Sequence, residues 1–395
     1  MTSAAEPSAP KVSLLYNPKF RSIAYQAALS AVILLLAYVA VSNAIDNLHH
    51  ANIATGFAFW NHTAGFDISQ TLIAYSIDVS TYGRAFWVGL LNTLLVAGLG
   101  IVFATIFGLF IGIARLSPNF IVARLAGSYV ELIRNVPLLL QLYFWYNAVL
   151  KVLPELSDSI TLCGGISLNN RGLFLPRPMF DETARITLYA IAIGLVMALT
   201  LRLFSRRYER RTGRKLPVLA LSLLLIVGLP TAAFLAIGVP VQLDYPEVGR
   251  FNIQGGIEML PEFAALLFGL SIYTAAFIAE AVRAGILAVP MGQTEAARAL
   301  GLRPGPTLRL IIIPQAMRVI IPPLTNQYLN LTKNSSLAVA IGYPDLVQVF
   351  TGTVLNLTGQ AVEVVAITMA VYLTISLFTS LLLNWYNARF ALIER

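Results

Sequence analysis

Two glutamate–arginine pairs stand inside otherwise apolar stretches, Glu131 with Arg134 and Glu280 with Arg283. A spacing of three places the members of each pair on one helix face. Charges at membrane depth are costly and are kept there by pairing or by function. The pairs read either as structural ion pairs near a membrane surface or as groups that line and gate a solute path. A second set is polar and uncharged. Asn135 and Pro137 interrupt one apolar run, with Gln141, Tyr143, Tyr146 and Asn147 after them. Pro322 and Pro323 interrupt another, followed by Asn326, Asn330 and Lys333. Broken helices are tolerated in a bilayer where they face a water-filled cavity or other protein, and their polar groups can then bind a solute. Hydrogen bonding between helices is the competing use of each single residue. All of this is binding chemistry rather than bond-making chemistry. The sequence holds no GxxxxGK[ST] phosphate cradle and no HExxH zinc motif. Its three histidines, His49, His50 and His62, fall in one polar segment and read as exposed loop residues. The single cysteine, Cys163, excludes an internal disulfide.

Elements that hold such groups must themselves be apolar, and the composition supplies them. Of 395 residues, 57% are hydrophobic and 12% charged, against about 25% charged in soluble domains. Mean hydropathy is +0.74. That is too little charge to coat a soluble enzyme or an ordinary DNA-binding domain. The expected fold is an all-α polytopic membrane protein with about eight transmembrane helices. Candidate spans run over 24–41, 86–113, 121–150 (interrupted), 187–204, 216–237, 263–286, 319–341 (broken twice) and 364–385. The net charge of +8 lies between these runs, where the positive-inside rule explains it without nucleic acid. The basic stretch SRRYERRTGRKLP, from Ser205 to Pro217, marks a cytoplasmic loop, or beyond topology a site for lipid headgroups or a partner. Arg115 and Arg124, then Arg298, Arg303 and Arg309, fall on the same side, as do both termini. Gly100, Ala104, Gly108 and Gly112 repeat every four residues and predict close helix packing.

The segment between the sixth and seventh spans reads GQTEAARALGLRPGPTLRLIIIPQAMRVIIPP. Glu295, Ala296, Ala297, Ala299 and Leu300 favour helix, Thr294 is a candidate N-cap, and Gly301 fits a left-handed stop with Pro304 beyond it. A short exposed helix with an Ala/Leu face suits a groove on a partner; lying on the membrane surface is the alternative.

This segment resembles the EAA signature of ABC importer permeases. Glu295-Ala296-Ala297 is followed after three residues by Gly301, and after nine more by Ile311, Ile313 and Pro314. Ile313 stands where the pattern has Leu. The resemblance implies a type I ABC importer permease core whose coupling helix, here Gln293 to Leu300, sits in a cleft of an ATPase subunit. Gln293, Glu295, Ala296, Ala297, Leu300, Gly301 and Pro314 are the implied coupling residues. The stretches YVELIRNVPLLLQLYFWY, FIAEAVRAGILAVPMGQTEAA and LTKNSSLAVAIGYPDL are similar to permeases of the polar amino acid group. The layout resembles the general L-amino-acid permeases of Gram-negative bacteria. On that reading the chain divides into a cytoplasmic segment (1–23), an extra helix (24–43), a periplasmic loop (44–85) and the first part of the core (86–150). Periplasmic loops around an inserted hairpin follow (151–259), and then the second part of the core (260–395).

The family resemblance implies import of polar or general L-amino acids across the bacterial inner membrane, with both termini cytoplasmic. It also implies partners: two ATPase copies that hold ATP and magnesium, a second homologous permease and a periplasmic amino-acid-binding protein. No cofactor is expected in this chain. An amino acid offers an ammonium and a carboxylate, which Glu131, Arg134 and Lys333 could meet. A rival reading is a secondary transporter or channel working without an ATPase. It calls for inverted repeats and coupling carboxylates at mid-membrane, and no inverted repeat is visible.

Overall fold

The computed structural model describes residues 18–50, 55–162, 165–213, 217–239, 241–249 and 253–390. Cys163, Arg214 and Lys215 lie outside them. Helix α1 (Pro18–His50) comes first, and its last turn carries the His49–His50 pair assigned to a loop from sequence. The segment 55–81 leads to α2 (Tyr82–Ala114), which Thr81 caps by accepting from the Arg84 N–H. Next come α3 (Phe120–Asn135), capped by Asn119, and α4 (Leu138–Tyr143), which continues in wider π-type turns over Phe144–Leu150. Pro137 causes the break between them, because it has no N–H to give and restricts Val136 to an extended conformation.

The stretch after α4 departs from the all-helical expectation. Strands β1 (Ile160–Leu162), β2 (Ile166–Asn169), β3 (Gly172–Leu175) and β4 (Arg177–Phe180) precede α5 (Ala184–Thr212). The return limb of the hairpin is α6 (Val218–Leu223), a π-type turn over Leu224–Gly228, and α7 (Leu229–Ala236). Strands β5 (Val241–Asp244), β6 (Glu247–Val248), β7 (Ile253–Gln254) and β8 (Ile257–Met259) then follow. One sheet has the order β1-β2-β3-β8, so residues on either side of the hairpin pair with each other. The β4–β5 ribbon sets Phe180 opposite Val241 and closes the base of the hairpin. These strands are two to four residues long, and such short runs have no periodicity that separates them from loop.

The second half contains α8 (Pro261–Leu287), α9 (Met291–Ala299), α10 (Pro304–Thr307) and α11 (Ile313–Asn334). Single-turn α12 (Leu355–Thr358) and the long α13 (Ala361–Phe390) complete it. Among the described residues seven helices are long and apolar enough to cross a membrane, and Leu138–Leu150 is a shorter apolar helix. The kinked α3–α4 pair is the third of the eight expected spans. Pro322 and Pro323 do not break the seventh, contrary to the sequence expectation: α11 runs through both. Each proline frees the carbonyl four residues back, here those of Arg318 and Val319, both at exposed positions of the helix.

The core forms where α8 packs between α2, α3 and α11. Gly100, Ala104, Gly108 and Gly112 are all buried on α2, and their spacing serves packing within the chain. A Cβ at Gly112 would stand 2.8 Å from the Ala279 carbonyl oxygen and 2.8 Å from Val282. Gly112→Val is therefore expected to cost about 2 kcal/mol through overpacking, read as a lowered melting temperature in detergent. A second core lies on the segment 55–81, where Phe59, Tyr82, Phe86, Leu346 and Phe350 are buried together.

Candidate functional site

The C-terminal ends of α2 and α8 lie together, since Gly108 meets Ile278 and Gly112 meets Val282. Arg115, the C-cap of α2, thereby reaches Glu280 on α8. Its Nη1 donates to one oxygen of the Glu280 carboxylate, and Arg283 donates from Nη2 to the other at 2.6 Å. Arg283 Nε adds a bond of 3.3 Å. One carboxylate thus clamps two guanidiniums and ties two helix ends. The Glu280–Arg283 pair is an ion pair, as one reading of the spacing held, with Arg115 as an unforeseen third member.

The Glu131–Arg134 pair differs. Both side chains are exposed on α3, and Arg134 lies over the Phe277 ring at 5.1 Å rather than on Glu131. They face an open cleft of about 430 Å³ lined by Arg115, Glu131, Arg134, Asn135, Phe277 and Glu280. An adjoining opening of about 320 Å³ adds Arg124, Ser128 and Arg283. The cleft brings Glu131, Arg134, Asn135, Glu280 and Arg283 together. Lys333, Asn326 and Asn330 are not part of it; they form an exposed stripe on α11 at spacings of four and three. Gln141 is not in it either. It is buried, and its Nε2 donates to the carbonyls of Ile133 and Val136, both at 2.9 Å. Gln141 therefore repairs the backbone freed at the Pro137 break, which is the helix-bonding use.

Beyond α8 the chain turns at Pro290 and enters α9. The helix starts at Met291, so Thr294 lies inside it and is not its N-cap. Pro290, four residues before Thr294, sets the start at Met291. The other end matches the sequence. Gly301 has φ +77°, its N–H donates to the Arg298 carbonyl at 2.9 Å, and the Leu302 N–H donates to the Ala297 carbonyl at 3.0 Å. Those two bonds are the Schellman stop, which needs the left-handed residue that glycine provides cheaply. Ala297 is buried under α9, whereas Gln293, Glu295, Ala296, Leu300 and Gly301 are exposed. Met291 and Leu300 are 80% and 81% exposed, so the helix ends present unburied apolar side chains. Gln315 Nε2 donates to Gln293 Oε1 at 3.4 Å. Pro314 lies where wider π-type turns over Leu308–Ile312 run into α11, inside a continuous helical stretch.

Sequence reading missed a buried polar network at the other end of α2. Asn92 Nδ2 donates to the carbonyls of Gln70 and Pro344, at 2.8 and 2.9 Å. The Leu346 N–H donates to Thr93 Oγ1 at 3.0 Å. Asp345 accepts from the Gln348 N–H at 2.8 Å and from the Tyr372 hydroxyl at 3.2 Å. The Asn-Thr pair inside an apolar run was the available signal. Outside the membrane-spanning helices, burial pushes the Tyr75 hydroxyl up to about 12, with Asp67 adding to it. Burial also raises the Glu258 carboxyl above its ordinary value, against the pull of Arg171.

A family model described as "Binding-protein-dependent transport system inner membrane component" matches residues 104–392. The chain belongs to this family. It is a multi-pass membrane subunit for transport, and the family name itself records dependence on a separate binding protein. The general L-amino acid transport system permease protein AapQ of Rhizobium johnstonii is 50% identical over 97% of this chain and 95% of its own length. The putative amino-acid ABC transporter permease protein YhdX of Escherichia coli is 50% identical over 96% of each. The glutamate/glutamine/aspartate/asparagine transport system permease protein BztB of Rhodobacter capsulatus is 43% identical over 97% of this chain and 96% of its own. All three extend across the extra helix and the hairpin, so those parts are shared with relatives. Membership also sets aside the reading of an ATP-independent secondary transporter or channel.

Proposed function

We propose that this permease imports L-amino acids, polar ones among them, from the periplasm to the cytoplasm. The names of full-length relatives support the substrate class. The observation that carries the coupling role is the α9 helix, stopped at Gly301 and exposing Glu295 and Leu300. An ATPase dimer, one copy on this chain and one on a second homologous permease, receives α9 in a cleft and supplies the energy. ATP and magnesium are held by that partner, and this chain carries no cofactor of its own. The binding protein delivers the solute at the opposite end. Closure of the ATPases moves α9, and through Leu287 the end of α8. The Glu280 clamp makes α2 follow α8, so that a push on one short helix shifts two core helices.

The exposed stripe Asn326, Asn330 and Lys333 on α11 faces the solute route between the two permeases, because a polar face at membrane depth needs water or protein. Glu131 and Arg134 offer an acceptor and a donor for the zwitterion at the cleft. Both termini lie in the cytoplasm, as does the basic hairpin tip. Affinity purification of the tagged chain in mild detergent tests the assembly: a stoichiometric ATPase and a second permease are expected, and a chain that purifies alone contradicts it.

The hairpin is separable from this machinery. Deleting Thr183 to Gly238 leaves Asp181, Glu182, Val239 and Pro240 as a four-residue loop between Phe180 and Val241, which already pair. Loops of that length close hairpins readily. A C-terminal tag is expected to stay cytoplasmic in protease-protection assays. Its appearance on the outer face would refute the helix count.

A further inference from the structure

The inserted hairpin has a seam and a groove with different chemistry. Ala190, Gly194 and Ala198 on α5 are buried at intervals of four, and a Cβ at Gly194 would meet the Leu225 carbonyl oxygen at 2.3 Å. Small residues let helices approach in this way. Toward the basic tip an open groove of about 560 Å³ lies along the two limbs. Leu195, Leu199, Leu219 and Leu223 line it with Arg202 and Ser222. The four leucines are 51%, 61%, 77% and 54% exposed. From Arg202 to Lys215 the sequence has seven basic residues against one acid, Glu209. Arg202, Arg207 and Arg211 are exposed.

We propose that this groove binds an anionic phospholipid of the cytoplasmic leaflet. Its acyl chain lies on the four leucines, and its phosphate is met by Arg202, with the basic charge of the hairpin adding a general attraction for anionic headgroups. A lipid fits better than a protein helix. Gly194, where a tight helix contact is made, is already covered by Leu225, and apart from Ala198 the groove is branched aliphatic surface beside a guanidinium and a hydroxyl. The charge sets the headgroup class, since juxtamembrane basic clusters select anionic lipids over zwitterionic ones. The inference rests on the hairpin alone and stands apart from which solute is carried.

The test uses the intact purified complex, delipidated and titrated with phosphatidylglycerol or with phosphatidylcholine of the same acyl chains, bound lipid being read by native mass spectrometry. Preference for phosphatidylglycerol is expected. Arg202→Gln should lower that preference about fivefold, and Arg202→Gln with Arg207→Gln and Arg211→Gln about a hundredfold. Arg202→Lys should keep it. Leu199→Trp, which fills the groove and leaves the charges, should reduce retention of lipid. Equal retention of the two lipids overturns the proposal, as does an undiminished preference in the triple variant. A photoreactive side chain at Ser222 that captures protein instead of lipid overturns it as well.

Discussion

Gly301→Asp is expected to abolish ATP-driven uptake while the chain still inserts and accumulates in the membrane. Two effects combine, and their sizes separate. The left-handed backbone at Gly301 costs a side-chain-bearing residue about 1 kcal/mol, and less for Asp than for most. Nothing stands within 4 Å of the added Cβ, so there is no steric term. The larger effect is a new carboxylate beside exposed Leu300 on the face proposed to dock on the ATPase, where a misplaced charge in an interface costs several kcal/mol. Uptake should fall by about a hundredfold or more. Gly301→Ala carries the backbone strain alone and should retain much of the activity. Uptake at the wild-type level in Gly301→Asp would remove α9 from the coupling role.

Glu280→Gln is expected to destabilise the packing of α2 on α8 at the cleft. It leaves Arg115 and Arg283 facing each other without the carboxylate that now accepts from both. Removing the charged acceptor of part-buried hydrogen bonds costs about 1.5–3 kcal/mol. The three side chains keep 15%, 26% and 32% exposure, which places the cost near the lower end. The apparent melting temperature of the detergent-solubilised complex should drop, and adding Arg115→Gln should recover part of the loss. An unchanged melting temperature would show that the clamp carries no stability. Glu131→Gln should leave the melting temperature nearly unchanged, because Glu131 is exposed and is not engaged by Arg134. It should lower uptake if Glu131 meets the solute ammonium.

The long apolar runs were legible because twenty consecutive apolar residues have few other fates. The Gly301 stop was legible because only glycine takes that conformation cheaply, and the Pro137 break because proline lacks the N–H. Pro322 and Pro323 misled because a proline lowers helix stability without always ending the helix, and the packing that carries α11 through both is a tertiary fact. The start of α9 moved to Met291 because Pro290 outweighed a threonine cap signal. The small sheets escaped notice since strands of two to four residues, paired across a hairpin of about sixty, leave no local pattern. Among the charged residues, spacing found both Glu–Arg pairs but not that Arg115, remote in sequence, completes one of them while the other stays open to the cleft. The separation of Lys333 from Glu131 and Arg134 is likewise a matter of which helices pack.

On the proposed mechanism this chain moves amino acids only when an ATPase drives α9. The most direct measurement is uptake of labelled L-glutamate and L-glutamine into proteoliposomes containing the purified complex and its binding protein, with ATP present or absent on the α9 side. Uptake that requires ATP, the ATPase and an intact Gly301 is the predicted result. Uptake by the isolated chain without ATP would contradict the account.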